Sequence, residues 1–300
     1  MEKWRADAAA LAQKLQRKIR GEVRFTDGDR ALYATDSSNY RQVPIGVVLP
    51  RDAEDVMETF ALCREVGAPI TSRGAGTSLA GQCCNVAVII DYSKYCNRIL
   101  EMDAGRKLAR VQPGVVHRQL AAAAGQFLLT FGPDPATHKW CTIGGMIGNN
   151  SCGVHSQMAG RTSDNIHQLD VLLYDGTRMK VGKTEEPELE QLIRSGGRQG
   201  NIYARLESLR DKYAPLIRAR FPRIPRRVSG LGLDELLPEN GFHVARALVG
   251  SEGTCVAVLE ATLNLVASPP ARSLLVLGYP DIFAAGDHVA EIGEERLHRS

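Results

Sequence analysis

The 300-residue chain contains no apolar run approaching the ~20 residues that a bilayer span requires. Its start, MEKWRADAAALAQKLQRK, has charges every few residues and lacks the apolar centre of an export signal. Charge of one sign is also scarce: 37 Lys+Arg against 34 Asp+Glu leave a net +3, too little for a general nucleic-acid or membrane binder. Aromatic residues make up only 6%. No C-x-x-C occurs among Cys63, Cys83, Cys84, Cys96, Cys141, Cys152 and Cys255, which argues against a zinc ribbon or an iron–sulfur cluster within the chain. Their odd number and irregular spacing fit reduced thiols of a cytosolic protein. The vicinal pair Cys83-Cys84 reads as apolar filler beside a glycine loop rather than a redox couple. The histidines (117, 138, 155, 167, 243, 288 and 298) show neither H-x-x-x-H nor H-E-x-x-H spacing, so no metal site is expected.

What is present describes a soluble globular protein, 44% hydrophobic and 24% charged, long enough for two domains or one large one. Trp4, Ala8, Leu11, Leu15 and Ile19 share a helical face that ends at Gly21. PIGVVLP (44–50) predicts a strand, and Asp52 opens a helix stopped by Gly67. Strands are predicted at PITSR, VAVIIDYS, RILEMD and KLARVQPG, then a helix over VVHRQLAAAAG. From Gly132 to Gly160 neither helical nor strand periodicity is visible, and a ligand is the usual reason for so long an irregular stretch. IHQLDVLLYDGTRMKVGK reads as a hairpin turning at Asp175-Gly176. Residues 186–221 read as helical, and RARFPRIPRR as a solvated connector rather than a phosphate or RNA contact. After Ser268-Pro269-Pro270 a strand (SLLVLGYP) and a helix (DIFAAGDHVAEIGEERLHR) are expected, a unit too small to bury its own core. The order of elements is α+β rather than a regular doubly wound repeat.

Three glycine-rich segments carry the chemistry. Arg73-Gly74-Ala75-Gly76-Thr77-Ser78-Leu79-Ala80-Gly81 follows a strand, and its small residues let backbone N–H groups converge on an anion. It matches neither a P-loop nor G-x-G-x-x-G opening a long helix. Thr142-Ile143-Gly144-Gly145 with Asn149-Asn150-Ser151-Cys152-Gly153 offers amide, hydroxyl and uncovered backbone donors, a set suited to a flat, polar-edged heterocycle. Gly250-Ser251-Glu252-Gly253-Thr254 leads into an apolar strand. Any one could be a structural turn; three in one chain point to a ligand.

RGAGTSLAGQ, FGPDPAT…CTIGGMIGNNSCGVHS and VGSEGT together resemble the FAD-binding domain of the vanillyl-alcohol oxidase / p-cresol methylhydroxylase (PCMH) superfamily. Within it the chain is most similar to the branch of D-lactate dehydrogenase, the glycolate oxidase flavoprotein and D-2-hydroxyglutarate dehydrogenase, and its wording to the members fused to an iron–sulfur half. The resemblance implies two α+β subdomains clasping FAD over residues 40–267, after an N-terminal helical segment (1–39). Residues 268–300 would begin an α+β cap domain that is otherwise outside the chain. It also implies site residues. Arg73, Gly74, Ala75, Gly76, Thr77, Ser78 and Leu79, with Gln82, would cradle the pyrophosphate. Pro133, Asp134 and Thr137 would sit beside the cofactor, and Thr142, Ile143, Gly144 and Gly145 along the flavin and ribityl chain. Asn149, Ser151 and Gly153 would line the isoalloxazine; Glu252, Gly253 and Val258 would border the adenine and pyrophosphate.

Two departures matter. Thr77 stands where covalent members often carry the linking histidine, so the FAD should be held non-covalently. Val256 stands where the glycine of a GTLG sequence is more usual. The implied activity is oxidation of a D-2-hydroxy acid by hydride transfer to the flavin, with electrons passing to an iron–sulfur partner or a quinone. Catalytic residues would lie mainly in the cap, leaving Arg41 and His155 as candidates here and the chain alone inactive. A sugar or lactone oxidase, or a non-catalytic FAD-holding module, are the competing readings. The expected setting is cytoplasmic or peripheral at the inner face of a membrane, with no nucleic-acid partner.

Overall fold

A computed structural model describes residues 2–224, 226–271 and 273–294. The chain begins with α1 (Glu2–Lys18), whose Leu11 and Leu15 are buried; the Trp4 side chain lies outside the described residues. Then come β1 (Glu22–Arg24), α2 (Asp27–Leu32), β2 (Gly46–Leu49), α3 (Ala53–Glu65), β3 (Ile70–Arg73) and β4 (Val88–Asp91). These strands form a sheet in the order β1-β2-β4-β3, with β2, β4 and β3 parallel and β1 antiparallel to β2. Strands β2 and β4 are buried throughout, which is why both read as unbroken apolar runs. Asp52 caps α3, its Oδ1 accepting the N–H groups of Glu54 and Asp55 at 3.1 Å, and Gly67 ends the helix at φ +68°.

A second sheet holds β5 (Ile99–Asp103), β6 (Leu108–Val111), β8 (Ile166–Leu172), β9 (Arg178–Val181) and β10 (Ala257–Asn264), ordered β5-β6-β10-β8-β9 and antiparallel throughout. The short pair β7 (Leu129–Thr130) and β11 (Val266–Ala267) stands beside it. The β10 strand alternates buried and half-buried residues, as expected where one face meets a core. Helices α4 (His117–Gly125), α5 (Ile143–Asn149), α6 (Ser156–Ala159), α7 (Glu186–Ser195), α8 (Gly197–Arg220) and α9 (Val244–Leu248) belong to this half, and α10 (Ile282–Glu294) follows it. Its core includes Leu120, Phe131, Ile143, Ile166, Leu169, Tyr203, Phe242 and Leu263. A smaller cluster joins the two sheets, with Val56, Phe60, Ile90 and Tyr92 from the first against Leu172, Ala257 and Leu259 from the second.

Three expectations need correction. Residues 132–160 are not irregular throughout, for they contain α5 and α6. Glycines hide the periodicity of α5, yet Ile143, Met146 and Ile147 are buried at i, i+3, i+4 spacing. The helical stretch 186–221 is two helices, broken where Gly196 and Gly197 take φ of +67° and +66°. No strand forms over the described residues of SLLVLGYP: Leu274, Leu275 and Val276 lie exposed, and a strand exists only where another pairs with it. The helix expected after it is α10, and residues 295–300 lie outside the described residues.

Candidate cofactor-binding site

At the C-terminal end of β3 the chain turns sharply through the first glycine segment. Gly76 is buried at φ +69°, a conformation that side chains with a Cβ rarely adopt. None of the six N–H groups from Gly74 to Leu79 donates to an oxygen among the described residues. A half-buried run of unpaired backbone donors is costly unless a ligand satisfies it. The Arg73 guanidinium lies against the turn, 2.6 Å from where a Cβ on Gly76 would stand, and is held there by donating to the carbonyls of Thr35 (2.8 Å) and Cys83 (3.2 Å) and by lying over the Tyr33 ring. Ser37 N–H fastens the Gly76 carbonyl at 3.0 Å, so the donors on the other side of the turn stay outward.

The second segment meets the first. Thr142 caps α5, its Oγ1 accepting Gly145 N–H at 3.2 Å, and Ile143 and Gly144 donate to the carbonyls of Val115 and Pro113, both at 2.8 Å. A Cβ on Gly74 would lie 2.1 Å from Thr142 Oγ1, so the two loops touch only because residue 74 has no side chain. A Cβ on Gly153 would lie 2.0 Å from the Asp134 carbonyl, so the end of the second segment packs closely on the Pro133–Thr137 stretch. The Gly250–Thr254 segment is tied to α5 as well, with Gly250 N–H on Ile147 and Glu252 N–H on Gly148, each at 2.9 Å.

These three segments border one cleft of about 770 Å³ including its open mouth. Of the residues singled out from the sequence, Arg73, Gly74, Ser78, Gln82, Thr142, Gly144, Gly145, Glu252, Gly253 and Val258 line it. Ala75, Gly76, Thr77 and Leu79 belong to the same turn without lining the cleft, and Ile143 is wholly buried beneath it in the core. Pro133, Asp134, Thr137, Asn149, Ser151 and Gly153 do not line the cleft, though Gly153 packs closely on Asp134. Arg41 is exposed and pairs, through its backbone, with Thr35. His155 Nδ1 lies 2.6 Å from Asp134 Oδ2, and its N–H donates to Asp134 Oδ1 at 3.0 Å, while half of the imidazole stays exposed. Val256 lines the cleft without a positive φ, so the valine in place of the usual glycine is accommodated without strain.

Sequence reasoning missed Ser72, Tyr92, Pro113, Gly148, Leu169 and Leu248, which also line the cleft, as does Ser251 of the third glycine-rich segment. Gly148 could have been found: with Gly144 it makes an i, i+4 bare face on α5, against which Glu252 sits. The Glu252 carboxyl faces Gln82, and partial burial raises its pKa above the ordinary glutamate range. Burial likewise raises the thiol of Cys83, which faces Ser78 Oγ at 3.2 Å, and that of Cys84. All seven cysteines are free; Cys84 is buried, whereas Cys83 is half-buried and lines the cleft. No group of His, Cys, Asp or Glu that could hold a metal occurs among the described residues, and no described helix is long and apolar enough to cross a membrane.

The unpaired donors of the turn, the bare glycine faces and the polar rim fit a dinucleotide with a pyrophosphate at its centre. Comparison with known proteins agrees. Residues 44–182 match the family described as FAD binding domain. D-2-hydroxyglutarate dehydrogenase of Pseudomonas putida is 33% identical over 271 residues, covering 89% of this chain and 27% of that protein. Glycolate oxidase subunit GlcD of Bacillus subtilis is 29% identical over 279 residues, covering 92% of this chain and 49% of the relative. The chain thus spans between a quarter and a half of the length of these relatives. A solved structure of alkyldihydroxyacetonephosphate synthase, 18% identical, superposes with a TM-score of 0.61 over 88% of this chain and 44% of that one, and so shares its fold. Residues 44–182 thus match an FAD binding domain, and the chain shares the fold of alkyldihydroxyacetonephosphate synthase.

Proposed function

We propose that this chain is the FAD-holding part of an oxidoreductase that oxidises a D-2-hydroxy acid of the D-lactate or D-2-hydroxyglutarate kind. One observation carries the reading: the turn from Gly74 to Leu79, whose N–H groups have no oxygen partner among the described residues, stands at the edge of the cleft that three glycine-rich segments border, with Gly74 and Ser78 on its lining. The names of the relatives supply the substrate class. When bound, the flavin supplies a two-electron acceptor for the hydride on the substrate α-carbon.

The chain's own residues bind and orient. Gly74 to Leu79 hold the pyrophosphate through backbone donors, with Gln82 beside them. Thr142, Gly144 and Gly145 border the ribityl chain and flavin edge. Asn149, Ser151, Gly153, Pro133, Asp134 and Thr137 form the flavin wall. Glu252, Gly253 and Val258 border the nucleotide end. The Asp134 carboxylate orients His155 so that Nε2 remains free to accept a proton, and Arg41 offers a cation for a substrate carboxylate. Thr77 has a hydroxyl where a histidyl tether would be needed, so attachment is non-covalent. Residues 40–267 are then the FAD-holding unit and 268–300 the start of a substrate-covering one, with an iron–sulfur partner or a quinone as the electron acceptor and a peripheral cytoplasmic setting.

Fluorescence titration should show one FAD per chain, and acid precipitation should leave all flavin in the supernatant. Under anaerobic conditions D-lactate or D-2-hydroxyglutarate, and not the L-enantiomers, should bleach the flavin once residues 268–300 are continued into a complete substrate-covering unit, whereas the 300-residue chain alone should be reduced slowly or not at all. A chain that binds no FAD, or a flavin bleached by aldoses or lactones instead, would overturn the reading.

A further inference from the structure

The segment from Lys212 to Arg227, KYAPLIRARFPRIPRR, has six cationic side chains and no acidic one. It covers the end of α8 and the loop after it. Its inner side is anchored, since Ala214 and Ile217 pack with Leu237 against Phe221 and Leu233. Two of its arginines are engaged, Arg218 with Glu239 and Arg227 with Asp234. Lys212, Arg220, Arg223 and Arg226 are exposed and have no carboxylate partner among the described residues. Lys212, Leu216 and Arg220 recur every four residues and so share one face of the helix. Among these cations stand exposed apolar side chains: Leu216 is 55% and Ile224 58% exposed.

We propose that this ridge docks the protein on an anionic lipid surface. The four free cations suit phosphodiester headgroups, and Leu216 and Ile224 supply the aliphatic contacts that a headgroup layer accepts and a nucleic acid does not reward. Tyr213 is the one exposed ring beside them, too few for stacking along a single strand. A ridge of positive charge also explains how a chain of only +3 overall could bind such a surface: the rest of the molecule is net negative and stays away from it. The inference does not depend on which substrate the flavin site takes.

Co-sedimentation with phosphatidylcholine vesicles, with and without phosphatidylglycerol, tests it. Binding is expected only to the anionic vesicles and should weaken as salt rises. The loop variant Arg223→Glu/Arg226→Glu should bind more than about 30-fold more weakly, the loss of two cations alone accounting for that and the two new carboxylates adding repulsion. Leu216→Ser should weaken binding at high salt, where charge no longer dominates. FAD affinity, measured in parallel, should be unchanged in every variant, which certifies folding and keeps the test separate from the flavoprotein reading. Absence of binding to anionic vesicles at low salt, binding insensitive to the charge reversal, or preference for polyuridylate over the vesicles would each overturn the proposal.

Discussion

Gly76 shows how much one backbone angle decides. Its φ of +69° is nearly free for glycine and costs about 1–2 kcal/mol for a residue with a Cβ. Gly76→Val should therefore bind FAD about 5- to 30-fold more weakly, measured by fluorescence titration. An unchanged affinity would mean that the turn does not hold the pyrophosphate. His243 acts through its charge state. Burial, and then the neighbouring Arg246 cation, push its pKa from 6.5 down to about 4, and its Nδ1 must stay unprotonated to accept Arg246 N–H at the start of α9. The unfolded chain takes up a proton near pH 6.5 and the folded one only near 4, so this residue's contribution is intact above 6.5 and falls away between 6.5 and 4. Stability at pH 5 should be lower by about 2 kcal/mol on this account. Urea unfolding of the wild type and His243→Asn across that range checks it; equal pH slopes would count against it. Because the folded chain takes up this proton only near pH 4, FAD affinity should hold through that window and loosen only as the pH approaches 4, where the start of α9, which leads into the Gly250 turn, loses its cap.

Among the elements, α5 and α3 have similar caps but different consequences. Thr142 Oγ1 caps α5 and also stands where Gly74 approaches, whereas Asp52 caps α3 away from the cleft. Thr142→Ala and Asp52→Ala should each cost about 1 kcal/mol of stability. Only the first should weaken FAD binding, since only there does the cap belong to the cleft wall. Paired urea denaturation and FAD titration separate the two effects. Equal loss of FAD affinity in both would show that the cofactor senses global stability rather than the α5 start. The hairpin of β8 and β9 is the element most plainly written in the sequence, because the turn at Asp175-Gly176 is local: Gly176 takes φ +91°, and Leu173 N–H meets the Thr177 carbonyl at 2.9 Å.

At the scale of the whole molecule, the cleft lies where the parallel sheet and the antiparallel sheet meet. Ser72, Arg73 and Tyr92 come from the first half, and Leu169 and Val258 from the second. A ligand gripped by both halves should stabilise them together. Saturation at a hundred times Kd should add about 2.7 kcal/mol to stability if FAD binds only the folded state. Hydrogen exchange should slow in β3 and in β10 alike. Protection confined to one sheet would mean that the cofactor contacts that half alone.

Local chemistry determined much of this protein. The parallel strands β2 and β4 were legible as apolar runs, α3 from its Asp52 cap and Gly67 stop, and the ligand loops from their glycines, because each signal rests on a residue's own conformational limits or burial. Sequence could not show which strands are neighbours: β10 enters between β6 and β8 from well over a hundred residues beyond β6, since alternation sets which face a strand buries and not what lies beside it. Nor could it show that SLLVLGYP would remain unpaired, as a strand has no meaning without a partner. The contact of Gly74 with Thr142, the hold of Gly153 on Asp134 and the set of donors left open at the end of β3 were decided by tertiary structure alone. Whether a backbone N–H is paired depends on every segment packed around it, and only the folded chain brings those segments together.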